Sequence, residues 1–241
     1  MNFLKRVQGL IYPEKLTCDF CGREIFSGKR VCEDCERDLP KNAGYICFKC
    51  GRRTHMPTEL CETCVGKELF YDGARSAFCY DGYARKGLVN LKFNNMRYLA
   101  RTFAEYMRPV YLLSGFNADV AVCAPIGRQR LFDRGYNQSE LIAREVCELV
   151  GLEFCPHALL KIKETQSQVG LTDEERTKNL RGSFAVNEDF DAEDKTILVI
   201  DDVMTTGTTI NEIARALKRA GAKEVYALTA ASVDADGRNK Y

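Results

Sequence analysis

The chain has 241 residues, with 35 Lys+Arg against 34 Asp+Glu and a formal charge of +1. That balance excludes a globally basic, histone-like protein but not a local basic face. The length leaves room for one sizeable α/β domain and a small appendage, and no segment approaches the ~20 uninterrupted apolar residues of a membrane span, so no membrane insertion is expected.

Met1–Pro13 contains Lys5 and Arg6 but lacks the long apolar core and small-residue cleavage site of a signal peptide. The expected location is cytoplasmic, where thiols stay reduced, so the 12 cysteines need an explanation other than disulfides. Eight of them form four C-x-x-C pairs: Cys18/Cys21, Cys32/Cys35, Cys47/Cys50 and Cys61/Cys64. The first four recur 29 positions later, and both copies open with C-x-x-C-G-R, an internal duplication of one module. Each pair sets two thiolates on one tight knuckle, and two knuckles supply the tetrahedral sulfur cage of a structural Zn2+. Two zinc ions are expected, either one per module or with the first knuckle interleaved with the third. A complete cysteine set leaves His55 as a loop residue. Residues 1–66 carry 11 Lys+Arg against 9 Asp+Glu, and two tetrathiolate centres would each add about −2. A near-neutral module suits docking or a lid better than an electrostatic grip on nucleic acid. Phe20, Phe26, Tyr45 and Phe48 suit either stacking on bases or, as expected in so small a core, packing around the knuckles.

Residues 67–118 read as a junction with strand-like composition over Ala74–Tyr80, a turn at Asp81-Gly82, and helices marked by Leu88, Leu91, Leu99, Phe103 and Met107. Asn94-Asn95 should interrupt the helices. From Ala84 to Arg134 there are 9 Lys+Arg and 3 Asp+Glu, a local excess of +6 that suits either a solvated helix face or a basic wall beside an anionic ligand. The lone Cys79 is expected to pack as a small apolar group.

Residues 119–241 read as an α/β sheet. Asp119–Ala124 forms a buried strand, and the loop Ile126-Gly127-Arg128-Gln129-Arg130 leads to Arg134-Gly135. Arginines and glycine at a strand's carboxyl end suit a diphosphate, with Arg128 and Arg134 as candidate contacts. A helix follows near Ser139, capped by Asn137 and stopped at Gly151. Lys161–Gly182 has little periodicity and the composition of a lid, with Gln166, Arg176 and Asn179 as candidate contacts. After a short strand at Phe184–Val186, the run Ile197-Leu198-Val199-Ile200 ends in Asp201-Asp202 and then Val203-Met204-Thr205-Thr206-Gly207-Thr208-Thr209. Four apolar residues suit a strand covered on both faces. A small-residue turn at the following helix N-terminus makes a phosphate cradle, while the two carboxylates accept hydrogen bonds from sugar hydroxyls. Phosphate beside a diol describes a ribose 5-phosphate. Val225–Ala231 completes a doubly wound parallel sheet, whose ligands sit outside the carboxyl strand ends.

The stretch Ile197–Thr209 resembles the phosphoribosyl diphosphate (PRPP) signature of type I phosphoribosyltransferases. The tandem cysteine module, Leu91-Lys92-Phe93, Ala124-Pro125-Ile126, Arg134-Gly135-Tyr136-Asn137-Gln138 and Asn179–Phe184 resemble the competence protein F (ComF) family over nearly the whole chain. The resemblance implies a phosphoribosyltransferase fold with an N-terminal double zinc ribbon. It also implies ribose contacts at Asp201 and Asp202, and 5-phosphate contacts at Thr205, Thr206, Gly207, Thr208 and Thr209. Mg2+ and diphosphate would face Ile126–Arg130. An enzyme at this site would release diphosphate from PRPP. The alternatives are a non-catalytic adaptor that binds single-stranded DNA or a partner in the competence machinery, with the basic span 84–134 extending the DNA track, and a phosphoribosyltransferase of unassigned nucleotide metabolism.

Overall fold

The computed structural model describes residues 17–26, 28–163 and 180–235. Five parallel strands form the central sheet: β1 (Gly73–Cys79), β2 (Val120–Cys123), β3 (Glu153–Phe154), β6 (Thr196–Met204) and β7 (Glu224–Ser232), in the order β1-β7-β6-β2-β3. The apolar run at 197–200 is unbroken because β6 is the middle strand and both of its faces are covered. One face carries helices α2 (Gly82–Phe93), α3 (Leu99–Ser114) and α5 (Gln138–Val150), which bury Leu88, Leu91, Phe103, Met107 and Ile142. The other carries α6 (Thr208–Arg219) and the antiparallel pair β4 (Leu159–Lys161) and β5 (Phe184–Val186). The strand at 184–186 thus sits outside the main sheet.

Local signals placed the element ends. Helix α2 stops at Phe93, and Asn95 adopts the left-handed φ of 53° that breaks the helical path. The Asn137 side chain accepts from the Ser139 amide at 3.1 Å to cap α5, and Gly151, at φ 71°, ends it. The arginine segment differs from the expected loop: Gly127 caps a short helix, α4 (Arg128–Arg134), closed by Gly135 in the left-handed conformation.

The two cysteine modules repeat their backbone geometry along with their sequence. Cys18 N donates to Arg23 O at 2.7 Å and Cys47 N to Arg52 O at 2.9 Å, while Cys32 N and Cys61 N reach Cys18 Sγ and Cys47 Sγ at 3.4 and 3.3 Å. The first copy continues into a short helix, α1 (Glu33–Asp38). The copies dock on opposite faces of the sheet, the first with the α2–α3 core and the second with the α6 core. Phe20 lies edge-on to Phe103, with ring centroids 5.9 Å apart, and Asp19 accepts from Thr102. The segment joining the copies runs antiparallel beside β1, through Asn42 N to Ala77 O at 3.0 Å and Cys79 N to Pro40 O at 2.8 Å. An edge strand that would otherwise offer open hydrogen bonds is therefore covered. Gly51 lies so close to the Ala74 carbonyl that any Cβ there would clash.

Of the four aromatic residues expected around the knuckles, only Phe20 is buried. Phe26, Tyr45 and Phe48 are exposed, because Ile25, Val31, Leu39 and the cysteines already fill the first module's core and the second module packs on the sheet. Cys79 is buried as expected.

Candidate functional site

A cavity of about 850 Å3 opens at the carboxyl ends of β2 and β6, the position that doubly wound sheets reserve for ligands. Its wall includes Lys92, Phe93, Arg130, Arg134, Asp201, Asp202, Thr205 and Thr209. The two halves read from the sequence, the Asp-Asp turn and the arginine segment, therefore meet in one space. Arg128 is exposed at the start of α4 and does not line the cavity; Arg130 does. Thr206 and Thr208 share a hydroxyl hydrogen bond of 2.8 Å in the turn that starts α6, and Gly207, at φ 80°, is that helix's N-cap. Gln166, Arg176 and Asn179 lie outside the described residues.

The carboxylates are buried and differ in their partners. Asp201 Oδ1 accepts from Ser139 Oγ at 2.7 Å and from the Asp202 amide at 2.9 Å. Asp202 Oδ1 accepts from the Val203 amide at 2.8 Å, and Oδ2 forms an ion pair with Lys92. Burial, then the neighbouring Asp202 carboxylate, pushes the Asp201 carboxyl up to about 7. Burial works against the Lys92 ammonium, but Asp202 outweighs it and holds the amine above its ordinary value. Burial lowers Arg134, and the Asp202 charge opposes that. The Arg134 guanidinium also donates to Gln138 and lies over Phe93, 5.2 Å from the ring centroid.

These shifts carry a stability prediction. A carboxyl that titrates near ~3.9 when unfolded and about 7 when folded contributes stability that is present below pH ~4 and lost as pH rises through about 7. The loss is at most ~4 kcal/mol at 1.36 kcal/mol per unit. Asp201→Asn should therefore melt higher than the parent at pH 8 and level with it at pH 4, by about 2–4 °C per kcal/mol. Equal melting temperatures at both pH values would show that Asp201 is not held protonated.

From the sequence, Lys92 was one charge of the basic span 84–134, with no link to the carboxylates, and Ser139 had no place in the site. The signal for Lys92 was present: it lies four residues after the buried Leu88, on the same helical face and in the last turn of α2. Ser139, in the first turn of α5, carried no comparable mark.

The cysteines form two groups, Cys18/Cys21/Cys32/Cys35 and Cys47/Cys50/Cys61/Cys64, with all sulfurs of a group within 4.8 Å of one another. The cysteines gather within each module, so the grouping fits one metal per module and not the interleaved pairing. A zinc–sulfur bond of ~2.3 Å implies a tetrahedral edge near ~3.8 Å. Sulfur pairs at 3.7 Å (Cys21–Cys32), 3.6 Å (Cys50–Cys61) and 3.7 Å (Cys61–Cys64) fit that edge. Four thiols with no open position suit a structural metal. His55 is exposed and outside both groups.

Residues 138–241 match the family model of the phosphoribosyl transferase domain, and residues 7–65 match that of the double zinc ribbon domain. Competence protein F of Haemophilus influenzae is 26% identical over 219 residues, covering 86% of this chain and 93% of that protein. Competence protein ComFC of Bacillus subtilis is 28% identical over 226 residues, covering 88% and 89%. The chain is thus similar to these competence proteins over most of its length. The two cysteine groups fall within the stretch that matches the double zinc ribbon, and the cavity lies at the sheet of the phosphoribosyltransferase-type fold. Among solved structures, glutamine PRPP amidotransferase from B. subtilis, complexed with ADP and GMP, overlaps with a TM-score of 0.39 at 20% identity, covering 56% of this chain and 26% of that one. No helix among the described residues is long and apolar enough to cross a membrane.

Proposed function

We propose that the cavity binds PRPP with Mg2+ and that the protein acts in the cytoplasm in the handling of DNA taken up during natural competence. The observation that carries the ligand is the convergence of Asp201, Asp202, the two ends of the turn at Thr205 and Thr209, and two arginines in one cavity. The turn takes the 5-phosphate on its amides and hydroxyls. Asp201 and Asp202 accept from the ribose hydroxyls, and Arg130 and Arg134 face the diphosphate. The carboxylates lining the cavity, Asp133, Asp201 and Asp202, are the hard oxygen donors that Mg2+ prefers, so the donor set fits the ion. When bound, the ion would neutralise charge on the diphosphate. In a transfer reaction the bond from C1 to the diphosphate oxygen breaks, the acceptor forms the new bond to C1, and the arginines stabilise the charge on the departing diphosphate.

A second reading, a single-stranded DNA adaptor, draws on Phe93 and Phe132, which are 70% and 86% exposed, with Arg134 over the Phe93 ring. Exposed aromatic rings beside arginine suit base stacking. One titration separates the two. PRPP with Mg2+ should bind the full chain, and the double variant Asp201→Asn/Asp202→Asn should bind it at least ~10-fold more weakly, the loss of a charge-assisted bond. Unchanged affinity would remove the ribose assignment. Salt-sensitive single-stranded DNA binding displaced by PRPP would put both ligands at the cavity, whereas DNA binding without PRPP binding would favour the adaptor.

A further inference from the structure

Among the described residues, Arg52 is a buried cation without an acid. It ends the second C-x-x-C-G-R motif, and the residue is 2% exposed, with Nε buried and lacking a hydrogen-bond partner among the described residues. A guanidinium stays charged at any pH a protein tolerates. The equivalent residue of the first module, Arg23, is exposed and pairs with Asp34. Twenty-nine positions on from Asp34, the second module has Thr63, so the duplication kept the arginine and lost its acid.

The Arg52 side chain instead reaches the Thr205–Thr209 turn. Its Nη2 lies 3.4 Å from where a Cβ on Gly207 would stand, against the N-cap of the 12-residue helix α6. That helix has no acidic residue in its first turn and no side-chain cap. A buried cation at the positive end of a helix is doubly unfavourable unless an anion sits between them. The turn offers amides and hydroxyls but no charge of its own, since residues 204–211 contain no Lys or Arg.

We propose that Arg52, contributed by the second cysteine module, completes the phosphate subsite of the Thr205–Thr209 turn and supplies the positive charge that pairs with a bound phosphate ester. The inference rests on reading that turn as a phosphate site. Gly51 sets the approach: its backbone lies against Ala74, and its carbonyl accepts from Asn42 Nδ2 at 2.7 Å, which fixes the chain just before the arginine. Bound zinc would give the Cys47/Cys50/Cys61/Cys64 group a charge of about −2 close to Arg52, helping to keep the guanidinium in place while the phosphate is absent. Ligand affinity and metal occupancy are thereby tied to one side chain.

The test is titration of the full chain with inorganic phosphate and with ribose 5-phosphate, alongside zinc content, for the parent, Arg52→Met and Arg52→Gln. The two variants guard against one of them failing to fold, and whichever retains the parent's zinc content decides. The expected result is retained zinc with affinity for both anions about 10- to 100-fold weaker, the range for a lost charge-assisted bond. Parent-like affinity at full zinc content would overturn the role of Arg52 while leaving the phosphate turn intact. A parent chain that binds neither anion would overturn the phosphate reading itself, and this inference with it.

Discussion

Stripping zinc from this protein should melt the sheet along with the ribbons. Cys18, Cys32 and Cys35 belong to the core shared with α2, α3 and α5, whereas Cys47, Cys50, Cys61 and Cys64 belong to the core shared with α6. Structural zinc contributes roughly 10–16 kcal/mol to small cysteine modules at neutral pH, comparable to the whole stability of a typical domain at ~5–15 kcal/mol. Without metal, four thiolates within 4.8 Å of one another repel or must protonate, and the two apolar cores lose their outer walls. Metal analysis should find two zinc per chain. A strong chelator should lower the melting temperature by tens of degrees, and Cys50→Ser should retain one zinc and melt at least ~10 °C lower. A sheet that melts unchanged after complete zinc removal would show that the ribbons are mere appendages.

Removing Lys92 should be almost as damaging, for an electrostatic reason. The Lys92 ammonium is the cation that pairs with the buried Asp202, and Asp201 stands next to it. Lys92→Met would leave two adjacent buried carboxyls without that ammonium, with the Asp202 charge still acting on Arg134. Breaking one partner out of a buried pair costs about 3–5 kcal/mol, or roughly 10 °C in a chain of this size. Lys92 also counteracts the upward push on Asp201, so its loss should steepen the fall in stability as pH rises through neutrality. Adding Asp202→Asn to Lys92→Met removes the stranded charge and should recover much of the loss. Thermal melts of the two single variants, the double variant and the parent at pH 5 and pH 8 measure this coupling. A Lys92→Met chain as stable as the parent at pH 8 would show that the pair contributes nothing.

What could be read in advance was local. The apolar run at 197–200, the break at Asn94-Asn95, the Asn137 cap and the stop at Gly151 each depend on neighbours within a few residues, and each is where the pattern placed it. The 29-residue repeat was legible because it compares the chain with itself. What escaped depends on distant partners. Nothing near Gly73–Cys79 says that it pairs with Glu224–Ser232, and nothing in the cysteine modules says that they take opposite faces of the sheet. In the cavity, the Asp-Asp turn and the arginines were recognisable by residue type. Lys92 looked like one charge among several on a helix until α2 brought it to Asp202. Phe26, Tyr45 and Phe48 were read as interior because they are large and apolar, but a ribbon anchored by four thiols has little interior to offer them.

The pairing of β1 with β7 has a consequence for how the protein is made. Gly73 lies opposite Tyr226, so the first strand of the sheet has no in-sheet neighbour until residues 224–232 have left the ribosome. Each ribbon, by contrast, closes between cysteines no more than 17 positions apart and can take up its metal early. The joining segment at 40–42 precedes β1 in the chain, so its hydrogen bonds to Ala77 and Cys79 can form before β7 is made and shield β1 on one side. The ribbons would then act as a built-in guard, keeping a nascent sheet edge from pairing with a neighbouring chain before its own partner emerges.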